Sequence, residues 1–317
     1  MKILGLSFGR NMKNSDLLVK HALMAAQANG AEIKFINVMN KKIGHCTGCG
    51  ICSQNRDKGQ QIRCIIKDDY LEVENEVLEA DGIIVAAPVY SIAPTGQMKN
   101  FIDRFGAAHD RAFCLAEQNK RIEQGNVELL DERLFKDRYV AYISVGGAAT
   151  QNWVSLGLPM FHLFGMSIMM KSVGQIDAYN MGRSGSPLLL RELMDSVAKL
   201  GQHLAESIGK PYADVQWLGD EGVCPNCHNR MITVLGKGTT IECPICGIEG
   251  NLSIDQGEIK ISFPAMQVNR ARGTFAGLEE HYLEIRSMPG HAIPKIQANK
   301  EWLDAEMVKY KELKSTY

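Results

Sequence analysis

Five short strand-like stretches rich in apolar residues, at 2–6, 31–38, 82–87, 139–145 and 168–173, recur through the first 210 residues with helix-like stretches between them. A strand followed by a helix before the next strand pairs in parallel, because the crossover carries the chain back to its starting edge. The run at 82–87 is apolar throughout, as a central strand covered on both faces requires. The first helix is expected after Asn14 and Ser15, with Leu17, Leu18, His21, Ala22, Met24 and Ala25 on its apolar side and Gly30 as its stop. Further helices are expected at about 68–80, capped by Asp68 and Asp69, and at about 96–117, 151–164 and 187–208. The pattern predicts an α/β domain over residues 1–210, with a doubly wound, five-stranded parallel sheet.

Ligands of such sheets bind beyond the carboxyl ends of the strands. The first strand-to-helix loop has neither three spaced glycines nor a glycine-lysine-serine ending, so it is not a dinucleotide fingerprint or a Walker A loop. It offers Ser7, Arg10, Asn14 and Ser15 beside the amides of a helix N-terminus, which suits a phosphate monoester. Pro88, Val89 and Tyr90 leave the central strand, and Gly146 and Gly147 leave the next. An aromatic, exposed backbone and small residues can frame a flat ring and reach its polar edge. Together these loops favour a flavin nucleotide.

The nine cysteines carry a second message, and eight of them fall in close-spaced groups. No run reaches the length of a secretory core or a membrane span, so a reducing, cytoplasmic setting is expected, where metal ligation is favoured over disulfides. Cys46, Cys49 and Cys52 stand at two-residue spacing with Cys64 after a polar loop. That run suits a [4Fe-4S] cluster; zinc and free redox-active thiols are the competing readings. Cys224 and Cys227 form one knuckle, Cys243 and Cys246 another, fifteen residues apart. Paired knuckles predict a zinc ribbon with one structural Zn(2+), a single redox-active iron being the alternative.

The first two-thirds of the chain resembles the iron-sulfur flavoproteins within the broad NADPH-dependent FMN reductase family. The resemblance rests on Ser7-Phe8-Gly9-Arg10 with Asn14-Ser15, on Cys46, Cys49, Cys52 and Cys64 followed by Asp68-Asp69, on Asp81-Gly82 with Ala87-Pro88-Val89-Tyr90, and on the stretch from Gly96 to Arg104. It implies a flavodoxin-like fold and FMN held by the first, third and fourth strand-end loops. It also implies a homodimer or higher homo-oligomer, in which one subunit's cluster lies near another's flavin. Phe8 stands where the family usually has serine, and the eleven residues between Cys52 and Cys64 exceed the usual compact spacing.

Three domains are expected: the flavin domain at 1–210, the ribbon at 211–263, and a C-terminal extension at 264–317 that ends in a charged helix. The formal net charge is −1, and acidic residues surround the knuckles, which argues against nucleic acid as a partner. The leading expectation is an FMN-dependent oxidoreductase or electron-transfer flavoprotein that exchanges electrons with the cluster, with NAD(P)H, ferredoxin or another redox protein as donor. A cluster-free NAD(P)H-dependent quinone, nitroaromatic or flavin reductase is the enzyme alternative. A non-enzymatic zinc-ribbon interaction protein is the third reading.

Overall fold

The computed structural model describes residues 1–316. Strand β1 (Lys2–Ser7) leads through α1 (Asn14–Ala28) to β2 (Glu32–Asn37). A long connection carries α2 (Ile51–Asp57) and α3 (Tyr70–Glu79) to β3 (Gly82–Tyr90), which folds back on the two-residue β4 (Ala93–Pro94). Helices α4 (Gly96–Ala108) and α5 (Arg111–Glu123) precede β5 (Tyr139–Val145); α6 (Gly157–Phe161) and α7 (Leu163–Met166) precede β6 (Lys171–Ala178), and α8 (Arg191–Ser207) follows. The parallel strands lie in the order β2-β1-β3-β5-β6, and β4 pairs antiparallel with β3. This is the expected doubly wound sheet, with β3 central and buried from Gly82 to Ala87.

Two apolar layers hold it. On one face Leu18, Val19, Ala22 and Leu23 of α1 pack with Val197, Leu200 and Leu204 of α8. The helices cross closely enough that a Cβ at Gly201 would stand 2.0 Å from the Ala22 carbonyl oxygen, so only glycine fits there. On the other face Tyr70, Val73, Phe101, Phe105 and Phe164 form an aromatic-rich core. The Phe101 and Phe105 rings stack at 5.4 Å.

Several boundaries differ from expectation. The helix expected over 96–117 breaks at His109–Asp110, where the Asp110 carboxylate accepts from the amides of Ala112 and Phe113 and starts α5 afresh. The helix expected at 151–164 is a 3₁₀ turn (Gln151–Trp153) and two short helices, because Gly157, Pro159 and Gly165 interrupt it. The fifth parallel strand begins after a turn at Met169, whose φ is +59°, and runs to Ala178. The helix expected at 187–208 starts at Arg191 because Pro187 lies in a preceding 3₁₀ turn.

Beyond α8 the chain returns along the free edge of β6, where the Leu218 amide donates to the Val173 carbonyl at 2.9 Å. It then forms the small antiparallel sheet β7 (Thr233–Val234), β8 (Thr240–Glu242), β9 (Glu249–Asp255) and β10 (Glu258–Ser262). Helix α9 (Ala265–Asn269) follows, and Ala271, Phe263 and Val268 pack on the four buried knuckle cysteines. Two compact units divide the chain, Met1–Leu278 and Glu279–Tyr317. The second contains most of α10 (Phe275–Ala298) and α11 (Lys300–Glu312). Helix α10 includes Pro289 and Pro294, where water can take the carbonyls that proline leaves unpaired on an exposed helix. No helix among the described residues is long and apolar enough to cross a membrane.

Candidate functional site

Parallel register sets Ser7 beside Ala86, and Pro88 beside Val145. The loops after β1, β3 and β5 therefore open side by side on one edge, with all nine residues expected to hold the flavin.

The first loop is held from beneath. Phe8 is buried, its ring in edge contact with Phe101 at 6.5 Å, so it faces the core and not a ligand. The Ser7 hydroxyl accepts from the Gly9 amide at 3.3 Å and keeps its own proton to donate. Buried Asp16 accepts from the Met12 amide and from Asn37, each at 2.7 Å. Asn37 also donates to the Gly9 carbonyl at 2.9 Å. The Asn14 side chain is occupied: it donates to the carbonyls of Met181 and Arg183 at 2.9 and 2.7 Å and accepts from the Gly185 amide at 2.9 Å. It tethers the first loop to the loop after β6, and offers a ligand its backbone. No side chain caps α1, Arg10 is exposed and Ser15 is buried against Gly9. Uncapped amides, a cation and hydroxyls fit a phosphate.

At the next strand end Ser91 and Ile92 have φ of +50° and +64° and join β3 to β4 as a two-residue hairpin. A β-branched residue in that region is strained. The hairpin holds Pro88 and Val89 half-buried and leaves Tyr90 56% exposed. In the third loop the Gly146 amide donates to the Ala178 carbonyl at 2.9 Å, and the Asn180 amide to the Ala148 carbonyl at 2.9 Å. A Cβ on Gly146 would meet Val154 at 2.4 Å. Bare backbone at Gly146 and Gly147 suits close approach by a flat ring.

The first cysteine group lies in the β2-to-α3 connection. Cys46 and Cys49 are exposed, Cys52 and Cys64 half-buried. Among the described residues it does not form a group as tight as the knuckles. Arg104 organises its base, donating to the Cys64 sulfur at 3.3 Å, the Asp68 carboxylate at 2.6 Å and the Gly44 carbonyl at 3.2 Å. Its guanidinium lies 4.1 Å over the Tyr70 ring. Burial would raise the Asp68 carboxyl, but bonds from Arg104, Gly44 and Tyr70 outweigh it and hold the group below its ordinary range.

The knuckle cysteines do converge. All four are buried with their sulfurs within 4.8 Å of one another, and Cys227 and Cys243 are 3.6 Å apart. Zinc-sulfur bonds of about 2.3 Å in a tetrahedron need sulfurs about 3.8 Å apart, so the donor set fits a closed thiolate site. The Asn226 side-chain Nδ2 donates to the Cys246 sulfur at 3.2 Å, as neighbours of metal-bound sulfur do.

Two cavities were not legible in the sequence. One, of about 320 Å³, lies between the end of β6 and the first knuckle, with Gln175, Asp177, Tyr179 and Met231 in its lining. The other, of about 360 Å³, is lined by Glu74, His109 and Arg133. The sequence signal for the first was the polar character of Gln175 and Asp177 on a strand that also carries Val173, Ile176 and Ala178.

The sequence pattern of the NADPH-dependent FMN reductase family matches residues 1–179. Flavone synthase cfoJ of Aspergillus candidus is 28% identical over 271 residues, 82% of this chain and 81% of that protein. An iron-sulfur flavoprotein of Archaeoglobus fulgidus is 39% identical over 105 residues, 33% of this chain and 45% of its own. The chain spans about half the length of this and two further iron-sulfur flavoproteins that it matches. A solved structure described as a flavone reductase superposes with a TM-score of 0.83 at 28% identity, covering 100% of this chain and 99% of that one. With the family pattern spanning more than half its length, on a sheet whose strand-end loops open together, the chain belongs to the NADPH-dependent FMN reductase family and is a flavin-binding oxidoreductase.

Proposed function

We propose that this protein uses FMN and NAD(P)H to reduce a planar, conjugated aromatic substrate of the flavone type, without requiring an iron-sulfur cluster. The observation that carries this is the three-loop edge within a fold that parallels a flavone reductase from end to end. Family membership sets the non-enzymatic alternative aside. Bound FMN supplies the hydride chemistry. Arg10, Ser7, Ser15 and the first amides of α1 hold its phosphate, while Asn14 keeps that loop in place. The main chain at Pro88, Val89 and Tyr90 meets the ring edge, and Gly146 and Gly147 let the backbone come close. The knuckles Cys224, Cys227, Cys243 and Cys246 hold one structural zinc. The working form is a homodimer or higher homo-oligomer.

A second reading has a specific support, the local similarity to iron-sulfur flavoproteins. In it Cys46, Cys49, Cys52 and Cys64 hold a [4Fe-4S] cluster that exchanges electrons with FMN, and ferredoxin or another redox protein joins NAD(P)H as a possible donor. Arg104 then steadies the cluster end at Cys64 through its bond to that sulfur.

Anaerobic purification with FMN, iron, acid-labile sulfide and zinc measured separately discriminates the readings. One FMN and one zinc per chain without sulfide, with NAD(P)H-dependent reduction of a flavone, is expected. About four irons and four sulfides would favour the cluster. Arg10→Ala should weaken FMN about tenfold by removing a charge-assisted contact; unchanged affinity at matched ionic strength would remove Arg10 from the site.

A further inference from the structure

The cleft beyond β6 is separate from the flavin loops yet laced to them. The strand end that carries Asp177 and Tyr179 is bonded to the Gly146 loop through Ala178 and Asn180, so a molecule lying over the flavin edge would have this opening beside it. The cleft holds about 320 Å³, near the lower end of small-molecule pockets, enough for one ring of a larger ligand. Leu158, Pro159 and Met231 give it apolar walls.

Its polar groups are mostly engaged. Buried His162 has both ring nitrogens in use: Nε2 pairs with Gln175 at 2.9 Å, and Nδ1 with the Ser172 hydroxyl at 3.3 Å. Gln175 in turn donates to the His228 carbonyl at 3.4 Å, which pins the knuckle to the sheet. Arg230 is paired with Asp220, so it is not left open for a carboxylate ligand. Asp177 differs. One oxygen accepts a long 3.3 Å bond from Tyr179, and the other, shielded from water, has no hydrogen-bond partner. Burial raises the Asp177 carboxyl above its ordinary range, against the opposing pull of Ser144, its neighbour across the strands, and of Tyr179. The oxygen that holds only the long Tyr179 bond keeps a lone pair for a hydrogen-bond donor in the cleft. A cationic donor would have to lose its hydration against Leu158, Pro159 and Met231; a hydroxyl on an aromatic ring matches both wall and base.

We infer that this cleft recognises a hydroxylated ring of the substrate, with Asp177 accepting from the ring hydroxyl and the first cysteine knuckle supplying the opposite wall at Met231; this rests on the reductase reading above. Asp177 is a specificity-determining residue, and the zinc module shapes substrate affinity without touching flavin.

The test titrates the FMN-loaded full chain with 4′-hydroxyflavone and with unsubstituted flavone by calorimetry. Wild type should bind the hydroxylated compound about tenfold tighter, the scale of a hydrogen bond to a charged group. Asp177→Leu should abolish that preference with FMN content unchanged, and Met231→Trp should weaken both compounds by filling the wall. A preserved preference in Asp177→Leu, or unaltered affinities in Met231→Trp, would overturn the cleft while leaving the reductase reading intact. Failure of wild type to bind either flavone would overturn that reading and this inference together.

Discussion

His109 and Glu74 meet inside the protein with their ring nitrogen and carboxylate oxygen 3.2 Å apart. The His109 Nδ1 donates to the Phe105 carbonyl at 2.8 Å, so its Nε2 is the acceptor when the ring is neutral and Glu74 supplies the proton between them. Burial drives both groups to their neutral forms: it raises the Glu74 carboxyl from 4.5 to about 7 and lowers His109 from 6.5 to about 4. Their contributions to stability have opposite signs. Between pH 4.5 and 7 folded Glu74 keeps a proton that the unfolded chain releases, so its term makes stability fall as pH rises. Between pH 4 and 6.5 the unfolded chain holds a proton that folded His109 refuses, so its term makes stability rise with pH. Together they nearly cancel over the shared range. Denaturant melts across pH should expose each alone: His109→Gln should lose about 3 kcal/mol from pH 4.5 to 7, and Glu74→Gln should gain a comparable amount from pH 4 to 6.5. Parallel curves for both variants would show that the pair does not hold the proton.

At the scale of elements, the hairpin between β3 and β4 places Ser91 and Ile92 where asparagine and glycine are at ease. Ile92 is 38% exposed, so little packing compensates its strained backbone. Ser91→Asn with Ile92→Gly should stabilise the flavin-free protein by about 1 kcal/mol, read as a higher urea midpoint with an unchanged slope. The elements that were legible in the sequence obey a period. Strands β1, β3 and β5 are largely apolar, β2 alternates Glu32 and Lys34 with Ile33 and Phe35, and α1 shows a helical stripe. Those that escaped do not. Strand β6 interrupts Val173, Ile176 and Ala178 with Gln175 and Asp177, which line a cleft, so its apolar run ends near Val173. The break between α4 and α5 turns on Asp110, a cap signal hidden in an otherwise helical stretch. Of the site, loop chemistry pointed to the strand ends, but Asn14 read as a phosphate ligand because its three partners lie about 170 residues away. Asp103 and Arg104, adjacent in the sequence, take different partners: Asp103 is joined to Lys99 along the helix, and Arg104 reaches Asp68.

For the whole molecule, the knuckles are the natural point of failure. A segment this small has little apolar core beyond Ile245, Ile248 and Ala271 around its cysteines, with Phe263 and Val268 against them, so under the zinc proposal its order depends on the metal. Cys243→Ser should abolish zinc binding and open residues 220–262 to protease well below the main unfolding transition, with FMN still bound. Zinc at full stoichiometry and unchanged proteolytic protection would refute that dependence. The Asn14 tether bears on where the chain can be cut. The family pattern ends at residue 179, yet a fragment trimmed there would leave Asn14 without the carbonyls of Met181 and Arg183, and strip α8 from the apolar side of α1. The smallest piece able to stand alone must run past Ser207, so the end of the family pattern is not a boundary at which this protein can be divided.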